Sequence, residues 1–269
     1  MTTYVCVTCG TQFPPSDAPP PRCPICEDER QYVPESGQRW TTPEELADGH
    51  RLEVRDEVGL VGIGMKPSFA IGQRALLVPH GGRRLMWDCV TLLDDIGAEA
   101  VEQAGGLSAV AISHPHYYSG MVDWAHRFDC PILLHEDDRE WVMRPDPAVE
   151  LWTGETREVG DGVTLIRCGG HFAGGTVLHL ADGADGRGAL LSGDIVQVIP
   201  DVRHVGFMYS YPNLIPLPEE AVARIAAALE PYAFDVIVGA WWGRVVPRDG
   251  KGAVMRSAER YGRALRGEL

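Results

Sequence analysis

No stretch of this chain approaches the roughly 18 consecutive apolar residues that a membrane-spanning helix needs. The opening Met1-Thr2-Thr3-Tyr4-Val5-Cys6 also lacks the basic-then-apolar pattern of a secretory leader. A cytoplasmic protein with no membrane partner is therefore expected. Positive charge is scarce as well: 24 Lys and Arg stand against 38 Asp and Glu, a formal net charge of −14. Such a surface repels nucleic acid and anionic lipid, so the expected partner is a small-molecule substrate. Internal repeats are missing, and the one biased tract is the proline run between Pro14 and Pro21. What remains, 269 residues of which 45% are apolar, is enough for one large core plus a small appendage.

Of the seven cysteines, Cys89, Cys130 and Cys168 are scattered, while the other four form the pairs Cys6-Val-Thr-Cys9 and Cys23-Pro-Ile-Cys26. Thirteen residues separate the pairs, a spacing that brings four thiolates to one tetrahedral ion, and in a reducing compartment it argues for metal over disulfides. The pattern resembles the zinc ribbons and short rubredoxin-like modules, with Tyr4 and Pro24 adding to the rubredoxin likeness. Zinc is the expected occupant, with iron as the alternative. A structural ion that folds a segment too small for its own core is the plainer role, and an iron electron carrier the other. Residues 31–56, with Pro34, Gly37, Pro43 and several charges, read as a linker holding one short helix begun by Thr42-Pro43-Glu44-Glu45. This divides the chain into a module at 1–30, a linker at 31–56 and a main domain at 57–269, with few core contacts expected between module and main domain.

Within the main domain the apolar pattern predicts strands and hairpins over 58–87 and a strand over 107–112. Helices follow over 98–104, 121–128 and 137–142, with strands at 131–134, 163–167, 176–180 and 189–191, helix 219–229, strand 235–238 and a C-terminal helix from about 252 to 265. That order suits an α+β arrangement of two sheets packed together with helices outside. Polar fragments follow three of these strands: Ser113-His114-Pro115-His116, Gly169-Gly170-His171 and Ser192-Gly193-Asp194. Imidazole is a good ligand for zinc or iron, and three imidazoles with a carboxylate or water complete a four-coordinate ion.

Together these fragments resemble the metallo-β-lactamase superfamily, over roughly residues 59–243. The resemblance implies an αββα sandwich with its site at strand ends along one edge, and puts His114, His116, His171 and Asp194 on one zinc or iron ion. The family's first motif, His-x-His-x-Asp-His, is broken here. Tyr118 and Ser119 stand where the second ion's Asp and His belong, and Trp241 stands near the place of the last histidine. Tyr coordinates only as phenolate, Ser is a poor ligand at neutral pH, and an indole N–H is a donor only. One site ion is therefore expected.

Around it, Asp88 and Ser113 are expected to hold a ligand or its loop. The long segment Gln197–Pro218 is expected either to cover the site, with Phe207, Tyr209 and Tyr211 as an apolar substrate wall, or to form the contact surface of a homo-oligomer. Asp194, Tyr118 and His204 are the candidate catalytic groups. His135 is placed at a helix start, His80 and His179 in structural roles, and His50 and His126 at the surface. Three functions follow: a single-ion hydrolase of a small ester, lactone, thioester or amide; a single-ion iron dioxygenase of the persulfide type; and a catalytically silent binding or scaffold protein.

Overall fold

The computed structural model describes all 269 residues. Strict alternation shapes its centre. In the strand Arg74–His80, Leu76 and Val78 point one way while Ala75 and Leu77 point the other, and both faces are buried. The strands Val163–Arg167 and Ala189–Gly193 behave alike: Leu165 and Leu191 face inward while Ile166 and Leu190 face the helices. Strands with two apolar faces must be sandwiched, and they are.

One sheet has seven strands in sequential order from Arg51–Glu57 to Val149–Trp152, antiparallel over its first four strands and parallel thereafter. The second has six, and within it Ala189–Gly193 runs parallel to Val236–Gly239. Leu76, Val78, Trp87, Leu165, Leu178 and Val238 fill the space between the sheets. Helices Asp95–Gln103 and Met121–Phe128 cover the first sheet, while Glu219–Leu229 and Gly250–Leu265 cover the second. The result is the four-layer αββα sandwich that the fragment order implies. No helix is long and apolar enough to cross a membrane.

Two expectations need correction. The stretch 31–56 is not a plain linker: Trp40–Thr41 pairs with Val5–Cys6, the helix Pro43–Gly49 is closed by a capping box on Thr42 and Glu45, and Arg51–Glu57 is the edge strand of the seven-stranded sheet. Charged Arg51, Glu53 and Arg55 face outward there, which suits an edge and hides the strand from a hydropathy reading. The N-terminal module is also not loosely attached. Its buried centre, the four cysteines with Phe13 and Ile25, packs against Ile71, Trp141 and Met143 of the main domain.

Candidate metal centre

The C-terminal ends of the central strands converge at one edge, the place where open α/β sheets hold ligands. Leu107–Ala111 delivers Ser113 and His114, and a 3-10 turn at Pro115–Tyr117 turns His116 back toward them. Ala189–Gly193 delivers Asp194. Gly193 is required between them. It sits at φ +54°, and a Cβ there would lie 2.6 Å from the Ser113 hydroxyl.

One nitrogen from each of His114, His116 and His171 lies within 4.8 Å of the others. His171 Nε2 is 3.3 Å from His116 Nδ1, which is also the separation of about 3.3 Å that two nitrogens on one tetrahedral zinc would have. The Asp194 carboxylate joins from the other side, with Oδ1 3.2 Å from His114 Nε2. Despite that proximity, neither atom completes a hydrogen bond. All four residues are buried, at 1% exposure for His114, 3% for His116, 1% for His171 and 4% for Asp194.

The neighbours fix which lone pairs are free. His171 Nδ1 donates to the Tyr209 carbonyl at 2.7 Å, so its Nε2 carries no proton. His114 Nδ1 meets the Ser113 hydroxyl at 2.9 Å, and the Ser113 N–H donates to the Asp88 carboxylate at 2.8 Å. Asp88 and Ser113 thus hold the His114 loop as expected, and Asp88 does so from a left-handed backbone at φ +58°. Burial, with the charge of Asp88 behind it, pushes the Asp194 carboxyl up to about 8. Burial first, then the charges of the neighbouring histidines and Arg30, drives His114 and His116 well below the usual imidazole range, and burial takes His171 down to about 4 against the opposing pull of the Tyr209 carbonyl. Three buried imidazoles with their ring nitrogens converging, one of them against a buried carboxylate, form a set of donors that a divalent cation satisfies. The residues fit a zinc- or iron-class ion.

The N-terminal cysteines form a second donor set. Cys6 and Cys26 sulfurs are 3.5 Å apart and those of Cys9 and Cys23 are 3.7 Å apart, close to the roughly 3.8 Å of sulfurs sharing a tetrahedral zinc. Hydrogen bonding among the four, from Cys23 first, favours ionised Cys6 while pushing Cys9 and Cys26 well above the ordinary thiol range. A dication would remove that conflict.

Comparison with known proteins places the chain. It is 47% identical over 272 residues to a Bacillus subtilis (strain 168) protein described as "Uncharacterized protein YmaE", covering 100% of this chain and 99% of that one. The chain belongs to the YmaE family. No protein-family model matches. Among solved structures, the metallo-β-lactamase DIM-1 exposed to ceftazidime superposes with a TM-score of 0.58 at 14% identity, covering 78% of this chain and 98% of that chain. The mono-zinc form of FIM-1 from Pseudomonas aeruginosa gives 0.54 at 14% identity, covering 78% and 96%. The Hirschia baltica enzyme gives 0.52 at 16%, covering 76% and 97%. At these identities the likeness establishes the metallo-β-lactamase fold for this YmaE relative and nothing finer.

Several candidate residues sit elsewhere than expected. Tyr118 is buried in the main core, where Asp138 is the charged group acting on it. Tyr117 takes its place: the ring lies 4.3 Å from that of His114, and the buried hydroxyl has no hydrogen-bond partner while the charge of Asp194, after burial, pushes it up. His204 pairs with Asp201 of its own turn at 3.2 Å and is not joined to the histidine cluster. Phe207, between the short strands Val205–Gly206 and Met208–Ser210, is core, edge-on to Tyr261 and clustered with Val205. Tyr211 does reach the site, donating to the Asp194 carbonyl at 2.7 Å, and Tyr209 contributes the carbonyl that holds His171.

Ser119 accepts from Gln73 Nε2 at 2.8 Å and Trp241 donates to the Ile71 carbonyl at 3.0 Å, so both are committed to protein partners. Phe172 and Arg30 escaped the sequence reading. Phe172 lies edge-on to His116 at 4.9 Å and to His171 at 5.1 Å, and the Arg30 guanidinium sits 3.9 Å above its ring. A cavity of about 610 Å³ touches Gly169 and Gly170 but not the histidine rings.

Proposed function

We propose that this chain is a metal-dependent hydrolase of a small acyl substrate (ester, lactone, thioester or amide), holding one ion on His114, His116, His171 and Asp194. A second, structural ion belongs on the four cysteines, whose free thiols suit a reducing, cytoplasmic setting. The observation that carries the reading is the meeting of one ring nitrogen from each of three buried histidines, with a buried Asp194 Oδ1 that completes no hydrogen bond beside His114. A single ion follows from the commitments of Tyr118, Ser119 and Trp241 to core or protein partners. The mono-zinc form of FIM-1 is a precedent for one ion on this fold.

Bound there, the ion supplies Lewis acidity toward an acyl oxygen. Asp194, the carboxylate beside His114, would be the group at the centre to take up a proton from the attacking water. Tyr117, whose hydroxyl lies against the Asp194 carboxyl, is the donor beside it. Its buried, partnerless hydroxyl is positioned to donate to a developing oxyanion or leaving group, and its ring shields one face of His114. The Tyr209 carbonyl holds His171 in one tautomer, Ser113 orients the His114 ring, and Tyr211 pins the backbone of Asp194.

A second reading, a binding or scaffold protein in which the ion staples the core, is favoured by the near-complete burial of the three histidines, at 1 to 3% exposure. Elemental analysis combined with turnover of chromogenic esters separates the two. The hydrolase reading requires about two ions per chain and ester cleavage that disappears in the His116→Ala, His171→Ala double variant. Full histidine-site loading with no cleavage of any acyl class would leave the scaffold.

A further inference from the structure

The four-cysteine module grips both histidine loops. On one side the Gln12 N–H donates to the Ser119 carbonyl at 3.4 Å, three residues after His116, and its side chain donates to Asp123 at 2.8 Å. The Thr91 hydroxyl donates to the Gly10 carbonyl at 3.1 Å, an approach that only a glycine allows, because a Cβ there would meet that hydroxyl at 2.6 Å. On the other side, four residues after Cys26, Arg30 donates to the His171 carbonyl at 3.3 Å. Its guanidinium covers Phe172, with Trp141 at 5.1 Å and Tyr209 at 5.4 Å around it, and Asp28 holds it in a fork at 2.6 and 2.9 Å. The hairpin that follows Asp194 closes over the same backbone. Ser210 donates to the Arg30 carbonyl at 3.2 Å, and Asn213 Nδ2 donates to the carbonyls of Glu29 and Gln31, each at 2.9 Å.

We infer that the four-cysteine module is the lid of the histidine site, and that Arg30, with the Ser210 and Asn213 hairpin, is its latch. The inference rests on the histidines being a metal centre, and it explains how a centre so deeply buried exchanges ligand: the latch releases, and the module lifts from Phe172 and the His171 loop. Nothing in the latch is covalent. It consists of one stacked cation, part-exposed at 13%, and a few backbone-directed hydrogen bonds, interactions that break reversibly. Arg30 is thus a positioning residue, acting on the centre through Phe172 and the His171 carbonyl.

The test uses the full chain with cobalt(II) in both sites, which are told apart because only the cysteine site shows thiolate charge-transfer absorption. Loss of cobalt from the histidine site to excess dipicolinate is followed in wild type, Arg30→Ala, Arg30→Lys and Asn213→Ala. Release should be about tenfold faster in Arg30→Ala, the size expected for losing a stacked cation and a hydrogen bond. Arg30→Lys should fall between, since lysine keeps the charge but not the fork. Cysteine-site absorption and thermal midpoint should not move, which a merely structural role would not leave intact. If Arg30→Ala is poorly folded, Asn213→Ala carries the test, as it removes only the grip on two carbonyls. Carbethoxylation of His171 by diethyl pyrocarbonate, read by mass spectrometry in protein metallated only at its cysteines, measures access without a histidine-site ion. A wild type that never takes cobalt on its histidines would sink the hydrolase reading, and the carbethoxylation rates would still decide the lid. Wild-type release and carbethoxylation rates in both Arg30→Ala and Asn213→Ala would overturn the latch.

Discussion

The two donor clusters differ in what they leave over. Four like sulfurs in the N-terminal module face one another within their own small apolar centre. The histidine cluster, by contrast, is heterogeneous: three imidazoles, the Asp194 carboxylate against one of them, and the Tyr117 hydroxyl against that carboxylate. A closed set of identical ligands does structural work, whereas a set that keeps an idle proton donor and a titratable carboxylate is equipped for chemistry.

The sharpest way to break this contrast is to remove each set in turn. Cys6→Ser with Cys9→Ser should cost one ion and the largest amount of stability, on the order of several kcal/mol, read by elemental analysis and thermal unfolding. The cost should extend to the packing of Ile71 and Trp141, which rest on the module. His116→Ala with His171→Ala should cost the other ion and all metal-dependent turnover while the cysteine ion stays. If both variants lost both ions, the two clusters would be one cooperative unit and the distinction would fail.

Tyr117→Phe sharpens the same contrast at the scale of one atom. Turnover should fall about 10²-fold through loss of a proton donor, with the thermal midpoint unchanged or raised, because the lost hydroxyl is buried without a partner. Tyr118→Phe is the control and should leave turnover alone. A drop of equal size in both variants would return the donor role to neither.

The smallest effect is in pH. Without metal, the folded-state carboxyls of Asp194 at about 8 and Asp88 at about 7, both raised chiefly by burial, lie above the ordinary 3.8. Groups whose pKa is raised on folding favour the folded state below their unfolded pKa and lose that contribution as pH climbs through the folded value. Between about pH 4 and 6.5 the depressed histidines His114, His116 and His171 oppose this, so metal-stripped protein should lose stability chiefly between about pH 6.5 and 8, while loaded protein should not. Parallel melting curves for both forms across that range would contradict the account.

The clustering of the three histidines and Asp194 was legible because each follows a strand whose apolar run marks its own end: Leu107–Ala111 before His114 and Ala189–Gly193 before Asp194. The layers were legible from two-faced strands such as Arg74–His80. What stayed hidden depended on direction. Alignment with the motif His-x-His-x-Asp-His picks out Tyr118, but in the tight 3-10 turn residues three apart share a face, so it is Tyr117 that lies on His114. Phe207 reads as a loop aromatic, and it does lie between two short strands, but it is turned into the core beside Val205 and Tyr261. Arg30 carries no local signal at all, since its meaning comes from Phe172 and His171, far along the chain, and it falls beside a segment whose charges conceal an edge strand.

The central claim is that this fold carries two separate single-ion centres, one made of sulfur and one of nitrogen with a carboxylate. Anomalous scattering from a crystal of the purified full chain, collected on either side of the absorption edge of the bound metal, tests it directly. The account predicts two peaks, one among Cys6, Cys9, Cys23 and Cys26 and one among His114, His116, His171 and Asp194. A single peak at the cysteines, or an additional peak beside the histidines toward Tyr118, Ser119 and Trp241, would contradict it.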